Sequence, residues 1–83
     1  MAETGLVVYG TAWCGDCHRA RAFLDEHALP YRWVDVDHDA EAEKLVRQLN
    51  RGNRSVPTLV FPDGSILVEP STPQLTRKFG LEG

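Results

Sequence analysis

The sequence predicts one α/β domain over residues 1–83, a four-stranded mixed sheet whose faces are covered by three helices. Three observations lead there. An apolar run, an amphipathic segment and a second extended run succeed one another before Asp37, which makes a strand–helix–strand unit. Pro62-Asp63-Gly64 lies between two further extended runs, which makes a hairpin. A length of 83 residues, against the roughly 100 to 200 usual for a domain, leaves no room for a second domain or a larger sheet.

Each element has its own warrant. Leu6-Val7-Val8-Tyr9 reads as a strand buried on both faces, punctuated by Gly10-Thr11-Ala12-Trp13. From Gly15 to Ala28, the residues Ala20, Phe23, Leu24 and Ala28 recur at helical spacing, and Pro30 stops the helix. Tyr31 to Val36 alternates, with Arg32 and Asp35 suited to an exposed edge, and so short a unit implies parallel strands with a right-handed crossover. Asp37 or Asp39 can cap the second helix, which has Glu41 and Glu43 in its first turn, Ala42, Leu45, Val46 and Leu49 inside, and Arg47, Arg51 and Gly52 at its end. Thr58 to Phe61 and Ser65 to Glu69 are the hairpin strands. Thr72 before Pro73 predicts an N-cap with proline at the first helical position, and Leu75 and Phe79 form the buried stripe of the last helix. A core this small leans on its aromatics, here Phe23, Trp33, Phe61 and Phe79.

Composition narrows the function. Leu, Ile, Val and Phe make up 21 of the 83 residues, above the level of disordered chains, so a folded domain is expected. No apolar run approaches the roughly 18 residues that span a bilayer, and Met1-Ala2-Glu3-Thr4-Gly5 lacks the basic start of a signal peptide, so a cytosolic protein with no membrane partner is expected. A net charge of −3 without a Lys/Arg block argues against nucleic acid as a partner. Two cysteines are too few for a disulfide scaffold.

Those two cysteines carry the chemistry. Cys14-Gly15-Asp16-Cys17 opens the first helix, a spacing that can close a disulfide across one turn and reads as a thiol redox pair. Cys14, at the N-cap, meets unpaired N–H groups and the positive end of the dipole, which favour a thiolate; Cys17, one turn in, is covered. Cys14 is therefore the expected attacker and Cys17 the resolver. Asp16 opposes a neighbouring thiolate and is a candidate tuning residue, unless it serves only as a first-turn acid. His18 completes the C-x-x-C-H of haem attachment, but such chains are exported and Met1 is the only methionine to supply a sixth ligand. Zinc held by Cys14, Cys17 and one of His18, His27 or His38 lacks a second ligand pair at finger spacing, so no metal is expected.

Trp13-Cys14-Gly15-Asp16-Cys17 after a buried strand, with Ser55-Val56-Pro57-Thr58 opening the hairpin, resembles the glutaredoxin-like proteins of the thioredoxin superfamily along essentially the whole chain. The run Gly52 to Thr58, the turn Asp63-Gly64-Ser65 and Pro70-Ser71 are most similar to mycoredoxins. The resemblance implies the thioredoxin/glutaredoxin fold with strand order 2-1-3-4, thiol–disulfide exchange with Cys14 as nucleophile, and a cis peptide before Pro57. A proline there leaves the Val56 backbone free to pair with an incoming peptide or small thiol. Trp13 either shields the thiolate or packs on the core, and Arg51 and Arg54 either meet a substrate carboxylate or are solvated. The glutathione signatures of the family, a basic residue just before the first cysteine and a Gly-Gly-Asp after the last strand, are replaced by Thr11-Ala12-Trp13 and Glu69-Pro70-Ser71-Thr72.

The expected protein is thus a monomeric oxidoreductase that reduces protein disulfides, or mixed disulfides with a low-molecular-weight thiol, and needs no cofactor besides that thiol. Its expected partners are disulfide-bearing client proteins, the small thiol, and thioredoxin reductase or a thiol-specific reductase. The competing readings are a reductase-coupled redoxin serving ribonucleotide reductase, an iron–sulfur or ligand-binding module built on Cys14, and a non-catalytic thioredoxin-like interaction domain.

Overall fold

The computed structural model describes residues 5–81, so the leader reading of Met1 to Thr4 and both extreme ends of the expected domain lie outside the described residues. The elements are β1 (Val7–Gly10), α1 (Gly15–Glu26), β2 (Arg32–Asp35), α2 (Ala40–Leu49), β3 (Thr58–Val60), β4 (Ile66–Val68) and α3 (Thr72–Lys78). The sheet order is β2-β1-β3-β4, with β2 parallel to β1 and the other two pairings antiparallel. Mixed sheet, order and three helices are as expected.

Successive side chains of β1 point to opposite faces of the sheet, and both faces are covered. On one, Val8 and Leu59 are buried completely against Ala20, Phe23 and Leu24 of α1 and Leu75 of α3. On the other, Tyr9 and Val34 pack with Ala42 and Val46 of α2. Each fully buried Leu or Val removes enough apolar surface to contribute ~1.5–3 kcal/mol. Of the four expected core aromatics, Phe23 and Phe61 are buried, while Trp33 and Phe79 lie half-covered against the same cluster. Phe79 nonetheless ties the two together, its ring 6.4 Å from that of Phe23 and 5.7 Å from that of Phe61.

The helix ends differ from expectation in two places. Helix α1 stops at Glu26, short of Ala28, because Ala28 adopts a left-handed φ of 53°. The Ala28 amide returns to the Asp25 carbonyl (3.1 Å) and the Leu29 amide to Leu24 (2.8 Å), a Schellman closure that brings Leu29 onto the core. At α3 the N-cap is Ser71 rather than Thr72. The Ser71 hydroxyl accepts the Gln74 amide while the Gln74 side chain accepts the Ser71 amide, a reciprocal capping box that Thr72 is out of register to make. At α2 the cap is Asp39, which accepts the Ala42 amide at 3.0 Å.

Candidate functional site

Strand register gathers the site at one end of the sheet. Tyr9 pairs with Thr58, and Gly10 with Asp35. The chain leaving β1 toward Cys14, the loop entering β3 through Pro57 and the loop leaving β2 through Asp37 therefore meet at the same edge.

Cys14 is the N-cap of α1, and its Sγ accepts the Cys17 amide at 3.3 Å. A helix N-terminus with one N–H aimed at the sulfur stabilises negative charge there. The Cys14 thiol lies 3.9 Å from the Val56 carbonyl, and the Val56–Pro57 peptide is cis. The loop is stapled in place by Thr58, whose buried hydroxyl donates to the Ser55 carbonyl (2.7 Å) and accepts the Asn50 side-chain amide (3.2 Å). The Pro57 carbonyl receives the Glu69 amide at 2.8 Å, and the Val56 amide makes no hydrogen bond among the described residues. An extended peptide edge thus faces the sulfur.

Both cysteines are free thiols, and their surroundings are opposite. Cys14 is half-buried, whereas Cys17 is 1% exposed. Burial pushes the Cys17 thiol up to about 12; a backbone hydrogen bond from Thr11 pulls the other way, and Cys14 and Asp16 add to the rise. Asp16 itself is half-exposed and pairs with Arg19 at 3.0 Å. His18, exposed on the first turn, contacts the Ala12 carbonyl through Nε2 at 2.6 Å. Among the described residues no three of His, Cys, Asp and Glu converge as a metal site.

Two readings that the sequence leaves open are narrowed here. Trp13 does not pack on the core: its side chain is 70% exposed, and the indole N–H donates to Asp37 Oδ2 at 2.7 Å. Nor is Arg54 an unengaged cation awaiting a carboxylate. It is part-buried, with Nη2 on Asp37 Oδ1 and Nε on Glu43 Oε2 at 2.6 Å. Although burial opposes its charge, these two partners hold the guanidinium above its ordinary pKa. Arg51, exposed in a left-handed conformation after α2, makes no such contact among the described residues.

Two residues of the site escape sequence reasoning. Asp37 reads there only as a helix cap, and nothing local marks it as the bridge between Trp13 and Arg54. Its loop is shaped by Asp35, whose carboxylate accepts the Asp37 amide (2.9 Å) and meets His38 (3.0 Å), contacts that hold that carboxyl below the usual range. Gly10 is the other. A Cβ there would lie 2.6 Å from Cys17 Sγ and 2.7 Å from the Trp33 ring, so glycine makes the space in which the second sulfur sits.

These features define a class: a thioredoxin-like fold bearing a C-x-x-C pair at a helix N-terminus opposite a cis-proline. A mutant of the thioredoxin-like protein BC3987 superposes with a TM-score of 0.81 at 26% identity, covering 94% of this chain and 97% of that one. The glutaredoxin of Methanosarcina mazei Go1 shares the fold with a TM-score of 0.75, at 24% identity over 95% of this chain and 82% of its own. The chain belongs to the glutaredoxin family, whose model matches residues 6–66. A Mycobacterium tuberculosis protein named as a candidate glutaredoxin is 40% identical over 78 residues, 94% of this chain and 93% of that relative. Mycoredoxin 1 of Corynebacterium glutamicum is 35% identical over 75 residues, 90% and 92% of the two chains.

Proposed function

We propose that the protein is a thiol–disulfide oxidoreductase that reduces client-protein disulfides, or mixed disulfides between a protein and a small thiol. The observation that carries this reading is the contrast between the two sulfurs: Cys14 at a helix N-terminus and open to the Val56 carbonyl, Cys17 buried and held as a thiol. The Cys14 thiolate attacks one sulfur of the substrate disulfide; a mixed disulfide forms, and the departing thiolate takes a proton from water. Cys17 then gives up its proton and attacks Cys14 Sγ, so that the Cys14–Cys17 disulfide forms and the second substrate thiol leaves. The pair has lost two electrons and the substrate has gained them. When the mixed disulfide holds a small thiol, a second molecule of that thiol can take the place of Cys17.

No metal or organic cofactor enters these steps. A reducing compartment such as the cytosol returns the pair to dithiol, through a small thiol with its own reductase or through thioredoxin reductase, and a single chain suffices for the exchange. The similarity to mycoredoxin 1 favours a thiol other than glutathione. So does the exposed Glu69, which presents like charge to a carboxylate-bearing thiol where the glutathione-binding signature has glycines.

NADPH consumption tests the reading: oxidised protein is combined with thioredoxin reductase, or with glutathione, mycothiol or bacillithiol and the matching reductase. Turnover in at least one arm that vanishes in Cys14→Ser is expected. Full activity in Cys14→Ser would exclude the assigned nucleophile, and efficient turnover with glutathione would exclude the thiol preference.

A further inference from the structure

We infer that Asp37 is a specificity-determining positioning residue of the redox groove, one carboxylate oxygen holding the Trp13 indole beside Cys14 and the other neutralising Arg54. The inference rests on Cys14 being the nucleophile. Trp13 directly precedes Cys14, and Arg54 stands two residues before Val56, whose carbonyl faces the Cys14 sulfur. Asp37 touches both, and Glu43 closes the network on the far side of Arg54, shared with Arg47 at 3.5 Å.

The arrangement has an electrostatic and a steric consequence. Two carboxylates and two guanidiniums cancel, so the wall of the groove offers no net positive charge to an incoming anion. A carboxylate-bearing thiol must compete with Asp37 and Glu43 for the charge of Arg54. Displacing Asp37 also unties Trp13, an indole otherwise 70% exposed and without another hydrogen bond among the described residues. An uncharged thiol meets the groove without breaking either contact. Discrimination here comes from a cation already spent on an internal partner, an attraction withheld from anions rather than a contact added for the favoured thiol.

Paired alkylating agents of similar size separate charge from reactivity. Iodoacetamide and iodoacetate both modify Cys14, and only the second is anionic. In Asp37→Asn the amide oxygen still accepts the Trp13 N–H, while the four-charge cluster gains a net positive charge. The iodoacetate-to-iodoacetamide rate ratio is expected to rise about fivefold at low salt and to fall back when salt shortens the screening length. Adding Arg54→Met should return the ratio to the wild-type value or below, a reversal that general loosening of the loop does not produce. In Asp37→Ala, with Trp33→Phe isolating the indole, Trp13 should also become more open to acrylamide quenching. A ratio unchanged in Asp37→Asn, or raised and not reversed by Arg54→Met, would overturn the inference. Inert Cys14 in the wild-type protein, seen with the neutral reagent alone, would overturn the oxidoreductase reading and this inference with it.

Discussion

Where β1 ends at Gly10, the backbone passes so near the Cys17 sulfur that a methyl group has nowhere to go: its contacts would be 2.6 Å to Sγ and 2.7 Å to the Trp33 ring. Neither neighbour is a flexible side-chain tip, since Cys17 is fixed one turn into α1 and Trp33 is clamped from outside by Arg21, 4.1 Å from its ring centroid. Gly10→Ala is therefore expected to destabilise the fold by about 1–3 kcal/mol, the usual result of overpacking. The displaced Cys17 should also close its disulfide with Cys14 more slowly. Iodoacetamide modification of Cys14 should change less, because the atoms nearest a Gly10 Cβ belong to Cys17 and Trp33. Thermal melts and quenched-flow oxidation measure the two effects, and a Gly10→Ala variant as stable as wild type would mean that the site has slack the structure lacks.

Helix ends offer the clearest element-scale tests. Ala28 closes α1 in a left-handed conformation, where a Cβ is strained and glycine is not. Ala28→Gly should stabilise the fold by roughly 1 kcal/mol, a rise of about 4–8 °C for a domain this size. At the far end of the chain, Ser71 and Gln74 satisfy each other's amides, and Ser71→Ala should cost about 1 kcal/mol. Thr72→Ala should cost less, since the Thr72 hydroxyl caps no amide among the described residues. Melting temperatures of the three variants decide the order, and an equal loss for Ser71→Ala and Thr72→Ala would restore Thr72 as the cap. Sequence and structure differ at this cap because Ser71-Thr72-Pro73 offers two adjacent hydroxyls, and only Ser71 stands three residues before Gln74.

Across the whole molecule, burying a thiol couples folding to pH. Cys17 is raised by burial to about 12, above its unfolded value near 9, so the folded chain keeps a proton that the unfolded chain gives up. Stability from this source is complete below about pH 9 and is lost as pH climbs toward the folded value, by up to ~1.4 kcal/mol per unit. Other groups titrate there too, so the quantity to follow is the urea-stability difference between reduced wild type and Cys17→Ala. That difference should shrink steadily as pH rises from about 9 to about 10.5. A flat difference would mean that Cys17 is solvated in the dithiol protein. Disulfide-bonded protein has no Cys17 proton to lose and should lack the slope.

The strand–helix–strand unit, the hairpin at Pro62-Asp63-Gly64, the C-x-x-C pair and the N-cap position of Cys14 were all legible in the sequence. Each depends on residues within a turn or two of one another, where spacing alone sets which face or terminus a side chain occupies. The Val56–Pro57 cis bond and the sheet order were legible only through family resemblance, since neither spacing nor periodicity selects an isomer or an edge. Three features belong to tertiary structure alone. Registering Tyr9 with Thr58 and Gly10 with Asp35 brought three loops to one edge of the sheet. That meeting turned Asp37 from a candidate cap into the partner of Trp13 and Arg54, and Arg54 from a free cation into a neutralised one. It also made Gly10 the floor beneath Cys17. Local pattern specifies what each side chain can do, whereas partners tens of residues apart are chosen by the register of the sheet, which no single segment encodes.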